Sequence, residues 1–167
     1  SKRNIFFGNK TPSEALVWVE NAWGLYYAFQ NAYDSSNIHF KKEYTLAGKI
    51  QIPRAQAAAM GNMGINFSKL EQLDSSLHFY YQALEIEEQN GNQRVMANNY
   101  LNIGNIYDRQ GKVPQAEEAY LKSLEIARTI QFKRNIGNCL IVLGELYRDR
   151  KEYDKALAYF NESLAIK

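Results

Sequence analysis

Gly24, Gly64, Gly104 and Gly144 stand forty residues apart, and each is followed three residues later by an aromatic: Tyr27, Phe67, Tyr107 and Tyr147. The register continues through Ser36, Ser76, Ala116 and Ala156, then through Phe40, Tyr80, Tyr120 and Phe160, with no insertion. A fixed period of this size restricts the chain to stacked units, each too small to bury its own apolar face and completed only by its neighbours. Such an array offers an extended surface, so the functional question becomes what the surface holds.

Within one period the spacing is helical. Between Gly91 and Gly111, Val95, Met96, Tyr100, Ile103 and Tyr107 recur on one stripe, as the inner face of an amphipathic helix requires. Gly111 ends that helix, Pro114 occupies a first-turn position, and Ala116, Ala119, Tyr120, Ser123, Leu124 and Ala127 continue a second stripe to about Ile130. The same pair is expected at Pro53 to Lys69 with Asp74 to Gln89, and at Lys133 to Asp149 with Tyr153 to Ile166. Asp74 is placed to cap its helix. The in-register glycines predict a neighbouring helix backbone too close for a Cβ, because Gly in mid-helix otherwise costs up to about 1 kcal/mol relative to Ala. The aromatics at 67, 107 and 147, with those at 80, 120 and 160, are expected to fill the spaces between successive hairpins. No strand signal is present.

These positions resemble the tetratricopeptide repeat. Its pattern of a large residue, Leu-Gly, Tyr and then small and aromatic residues is met by Tyr100, Ile103-Gly104, Tyr107, Ala116, Tyr120 and Ser123, and again by Leu140, Leu143-Gly144, Tyr147, Ala156, Phe160 and Ser163. The forty-residue period exceeds the usual thirty-four, as in kinesin light chains, Leu-Gly-Asn repeat adaptors and bacterial peptide-sensing regulators. The resemblance implies an all-α fold, a right-handed α-solenoid of antiparallel helix pairs. About four repeats are expected in a single array: a degenerate one over 12–50, then 53–90, 93–130 and 133–167. The first departs at Glu43, where a small residue belongs. Both ends, an orphan Ile5-Phe6-Phe7 and an unterminated Leu164-Ala165-Ile166-Lys167, read as cuts from a longer protein.

The resemblance also places the first helix of each pair on a concave binding face. Away from the Gly-aromatic stripe, those helices carry two sets of polar residues. One is an arginine row, Arg54, Arg94 and Arg134. The other is an asparagine ladder of Asn62 and Asn102, extended by Asn98, Asn105 and Asn138, with Glu145 beside it. An amide supplies donors and an acceptor and so can pair with the backbone of an extended peptide whatever its sequence. Guanidinium groups engage carboxylates bidentately. Both sets also have a bland reading, as solvated helix faces or as partners of acidic residues at preceding helix ends. The positions equivalent to the carboxylate clamp of chaperone-binding relatives include Gly61, Leu101 and Ile141, so chaperone C-terminal tails are not expected ligands. Trp23 and Tyr27 are assigned to the core, whereas Trp18 and Phe29 project toward the ladder's face, either as an aromatic anchor or as a surface covered by a preceding repeat.

Other function classes find little material. The formal charge of +2, from 20 basic and 18 acidic residues, gives no field suited to nucleic acid or an anionic membrane. His39, His78 and the lone Cys139 assemble neither a nucleophile with its base nor a metal site, so no enzyme activity, cofactor or metal is expected. No apolar run approaches the roughly twenty residues of a membrane span. One cysteine suits a reducing cytoplasm, with the periplasm left open. Two readings remain: a protein- or peptide-binding scaffold, or a sensor or oligomerisation segment of a larger bacterial signalling protein. The latter would self-associate through Leu157, Phe160 and Leu164 of its last helix.

Overall fold

The computed structural model describes residues 11–166, and every regular element among them is a helix. The Ile5-Phe6-Phe7 triplet and Lys167 lie outside the described residues. The chain divides into two compact units. The N-terminal unit contains α1 (Pro12–Phe29), α2 (Tyr33–Lys49), α3 (Pro53–Lys69) and α4 (Leu73–Asn90). The C-terminal unit contains α5 (Gln93–Arg109), α6 (Val113–Thr129), α7 (Lys133–Asp149) and α8 (Tyr153–Ala165). Asp74 is not a cap: α4 begins at Leu73, so the carboxylate sits inside the first turn, where it still faces the positive end of the helix dipole.

Within each unit the helices are joined by three-residue links whose middle residue is left-handed. Asn31, Gln51, Glu71, Gly111, Gln131 and Lys151 all have φ between 54° and 70°. The residue after each donates its N–H five residues back, as Ala32 does to Tyr27 and Lys112 to Tyr107, both at 2.9 Å. This is the Schellman closure, which satisfies orphan carbonyls and reverses the chain at once. Links this short make consecutive helices antiparallel neighbours. Glycine is used at Gly111, where a left-handed φ costs it no Cβ clash.

The recurrent glycines serve a purpose other than the expected one. A Cβ at Gly24, Gly64, Gly104 or Gly144 would lie within 3.0 Å of the ring of Phe40, Tyr80, Tyr120 or Phe160, respectively. The close neighbour is thus an aromatic side chain sixteen residues later on the partner helix, not a backbone. The backbone is reached by a hydroxyl instead: Ser36 donates to the Gly24 carbonyl at 2.7 Å and Ser76 to that of Gly64 at 2.8 Å.

The aromatics expected between hairpins divide into two groups. Phe40 packs with Ala59, Met60 and Met63 of the next pair, and Tyr120 with Leu140 and Leu143. Phe67 stacks on Phe79 at 5.0 Å and Tyr147 on Tyr159 at 5.5 Å, each inside its own hairpin.

Candidate functional site

In the C-terminal unit the first helices of the two pairs, α5 and α7, expose Arg94, Asn98, Arg134, Asn138 and Glu145, while Asn102 and Asn105 are half-buried. Several of these side chains are already engaged. The Arg94 guanidinium lies 4.3 Å over the Phe132 ring, a cation–π contact that orders its stem. The Asn98 amide oxygen accepts from Asn135 at 3.1 Å, and the Asn105 oxygen accepts from the Tyr120 hydroxyl at 3.0 Å.

Beneath this face, Ser123, Asn135 and Cys139 form a buried, hydrogen-bonded group. The Ser123 hydroxyl, fully buried, donates to the Ala97 carbonyl at 2.6 Å and lies 3.0 Å from the Asn135 amide oxygen. The Cys139 thiol donates to Ser123 at 3.1 Å, and burial pushes its pKa up. A thiol held as a buried donor is a poor nucleophile.

In the N-terminal unit, α3 exposes Arg54 and keeps Asn62 half-buried. Arg54 stands at the mouth of a cavity of about 380 Å³ between α1, α2 and α3, lined also by Trp18, Asn21, Glu43, Ile52 and Ala55. Asn62 is not among the lining residues. Glu43 is 2 % exposed, and the Asn21 amide nitrogen donates to its two oxygens at 3.1 and 3.0 Å. Burial raises the Glu43 carboxyl to about 7, against the opposing pull of the Asn21 hydrogen bond. A carboxylate prefers water to a low-dielectric pocket, so its charged form is disfavoured there until a cation or further donors arrive.

The expected aromatic anchor changes membership. Trp18 lines this cavity and is half-exposed. Trp23 is not core: it is 47 % exposed and stacks with Tyr27 and His39 on the flank of α1 and α2. His39 in turn shares a 2.7 Å hydrogen bond with Glu20. Phe29, at the end of α1, is almost wholly exposed and lines no described cavity wall with Trp18. Sequence reasoning missed Asn21 and Glu43 as site residues. The signal for Glu43 was present as a break in the small-residue register, whereas Asn21 carried none.

The described residues contain no group of three or more His, Cys, Asp or Glu side chains arranged to hold a metal ion. No helix among them is long and apolar enough to cross a membrane. Paired helices, a Gly-on-ring contact in each pair and Schellman links define a helical-repeat protein of the α-solenoid class. Residues 95–167 match the family model described as Tetratricopeptide repeat. The same Gly and aromatic register runs back through Gly64 and Gly24, so the resemblance to tetratricopeptide repeats extends beyond the matched residues.

Among curated proteins it is similar to Response regulator aspartate phosphatase A of Bacillus subtilis (strain 168), 25% identical over 101 residues. That match takes in 60% of this chain but only 26% of the relative. Among solved structures, BtubC (BKLC) from P. vanneervenii superposes with a TM-score of 0.82 at 17% identity, over 95% of this chain and 65% of that one. The apo form of RapI gives 0.84 at 16% identity, over 93% and 44%. A Rap protein complexed with Competence and Sporulation Factor gives 0.80 at 17% identity, over 93% and 43%. At these identities the structural likeness establishes the fold.

Proposed function

We propose that the chain is a protein- or peptide-binding module whose ligand lies against the first helices of its repeats. The observation that carries this reading is the exposed row of Arg94, Asn98, Arg134, Asn138 and Glu145 on α5 and α7. These are polar side chains in helical register, on a face that the packing contacts of Gly104 and Gly144 leave alone. Amides in such a row pair with peptide N–H and C=O groups, and the arginines add carboxylate recognition. A Rap structure of the same fold is described as complexed with Competence and Sporulation Factor, which supports binding over catalysis. Its single cysteine suits a reducing cytoplasm.

The test is peptide-array binding of the wild type against a triple variant, Asn62→Ala, Asn102→Ala, Asn138→Ala. These three are chosen because Asn98 and Asn105 already bond within the chain, so their loss would also perturb folding. Spots bound by the wild type should dim by about tenfold or more, as expected for several lost hydrogen bonds of about 1 kcal/mol each. Unchanged binding would remove the ladder from the ligand site.

A second reading, self-association within a larger signalling protein, draws support from α8, where Leu164 is 83% exposed and Leu157 is also exposed. Large exposed apolar side chains in helical register suit a protein contact. A concentration-independent monomer mass in light scattering would exclude it for this chain.

A further inference from the structure

The internal repeat supplies its own control for the cavity around Glu43. Counting eighty residues forward maps Asn21, Glu43, Ile52 and Ala55 onto Leu101, Ser123, Phe132 and Asn135. In the C-terminal unit this layer is filled: Leu101 and Asn135 are buried, Arg94 stacks on Phe132, and Ser123 and Asn135 are hydrogen-bonded. In the N-terminal unit three of the fillers on this layer are smaller, Leu101 becoming Asn21, Phe132 becoming Ile52 and Asn135 becoming Ala55, and a space of about 380 Å³ has opened. At its inner end, in place of a small hydroxyl, stands a carboxylate.

We propose that this cavity receives the basic side chain, arginine or lysine, of a peptide lying on the first-helix face, with Glu43 as the counter-charge. The inference rests on the binding reading above and adds to it a subsite with a defined chemistry. A carboxylate offers about four acceptor positions, and the hydrogen bonds at Glu43 come from one amide nitrogen, that of Asn21. A guanidinium supplies two parallel donors and the missing positive charge. The volume lies within the range of small ligand pockets, and the Trp18 ring lines the wall along which an alkyl stem would run. Arg54 stands exposed at the mouth, placed to donate to the peptide's own carbonyl oxygens.

The charged groups near Glu43 are Arg54 from α3 and the Glu20–His39 pair from α1 and α2, one helical turn from it along α2. An acidic ligand side chain would meet Glu43 directly and be refused. The elevated pKa of Glu43 agrees with a charge awaiting its partner.

Two probes separate this subsite from the groove as a whole. The first is a set of acetylated, amidated pentapeptide pools, randomised except for a central Arg, Lys, Gln or Glu, followed by fluorescence polarisation against the full chain. The second is butylguanidinium, with butyramide as the neutral control, followed through the indole N–H resonances of Trp18 and Trp23. The Arg and Lys pools should bind about tenfold or more tighter than the Gln pool, as a charge-assisted hydrogen bond to a carboxylate provides, with the Glu pool weakest. Butylguanidinium, and not butyramide, should shift the Trp18 signal. Glu43→Gln should bring the Arg pool down to the Gln pool and abolish the butylguanidinium shift. Ala55→Asn, which restores the filler found in the C-terminal unit, should do the same, and a circular-dichroism melt of each variant verifies that it is folded.

Equal wild-type binding of all pools with no butylguanidinium shift overturns the subsite and leaves the groove standing. Binding of no pool overturns the peptide reading, and this proposal with it.

Discussion

The N- and C-terminal units are built on one register, yet they treat the layer between successive hairpins in opposite ways. Around Ser123 the C-terminal unit closes the layer with Leu101, Asn135 and Cys139, every polar group bonded and none charged. Around Glu43 the N-terminal unit leaves the layer open and puts an ionisable group at its base. The contrast teaches that a repeat can be converted from packing to recognition without altering its helices. Only the side-chain volumes and polar groups of one layer need change, because the fold is held elsewhere by the Gly-on-ring contacts and the turns.

The sharpest way to break this comparison is to move the carboxylate. Ser123→Glu should cost about 3 to 5 kcal/mol in urea denaturation, the loss typical of a buried charge without a partner. If it costs under about 1 kcal/mol, the C-terminal layer is not closed.

Next in size, Gly104→Ala would drive a methyl into the Tyr120 ring and should destabilise by about 1 to 3 kcal/mol, as overpacking does.

Then comes the pH dependence of Glu43. Its folded-state pKa, about 7, lies above the ordinary carboxylate value, so the folded chain holds a proton that the unfolded chain releases. The group's contribution to stability is therefore full below the ordinary value and is lost as pH rises through about 7. The melting temperature of the wild type minus that of Glu43→Gln should fall between about pH 4.5 and 7 and stay flat above. The difference cancels the Glu20–His39 pair, which both proteins retain. A difference independent of pH would place Glu43 in water.

The smallest effect runs the other way. A Cβ at Gly137, in the helix α7, meets nothing within 4 Å, so Gly137→Ala should stabilise by up to about 1 kcal/mol through helix propensity alone. Gly104 and Gly137 thus separate a glycine required by contact from one that is not.

Much of the fold was legible because helical period and turn chemistry are local. Pro53 to Lys69 and Lys133 to Asp149 were readable to the residue as α3 and α7. What the glycines touch was not. Their recurrence announced a close neighbour, but whether it was backbone or ring depended on how the second helix rolls, which sequence spacing does not fix. Trp23 failed for a related reason: a position on the packing stripe of α1 is core only where another element covers it, and it is half-exposed.

The candidate site divides along the same line. Arg94, Asn98, Arg134, Asn138 and Glu145 were legible as a surface, since helical geometry alone puts them on one side. That Asn105 bonds to Tyr120 and Asn98 to Asn135 was not, because those partners lie on other helices. Glu43 stood out as an irregularity, yet only the joint smallness of Ile52, just before α3, and Ala55, within α3, turns it into the floor of a cavity.

By itself, then, the sequence determined the repeat, the helices, their ends and the polar face, all of which follow from periodicities of a few residues up to forty. The tertiary structure decided which ring rests on which glycine, which amides are engaged, and that Glu43 looks into open space. Those outcomes depend on volumes contributed from separate helices to one layer, and a layer exists only when the helices are packed.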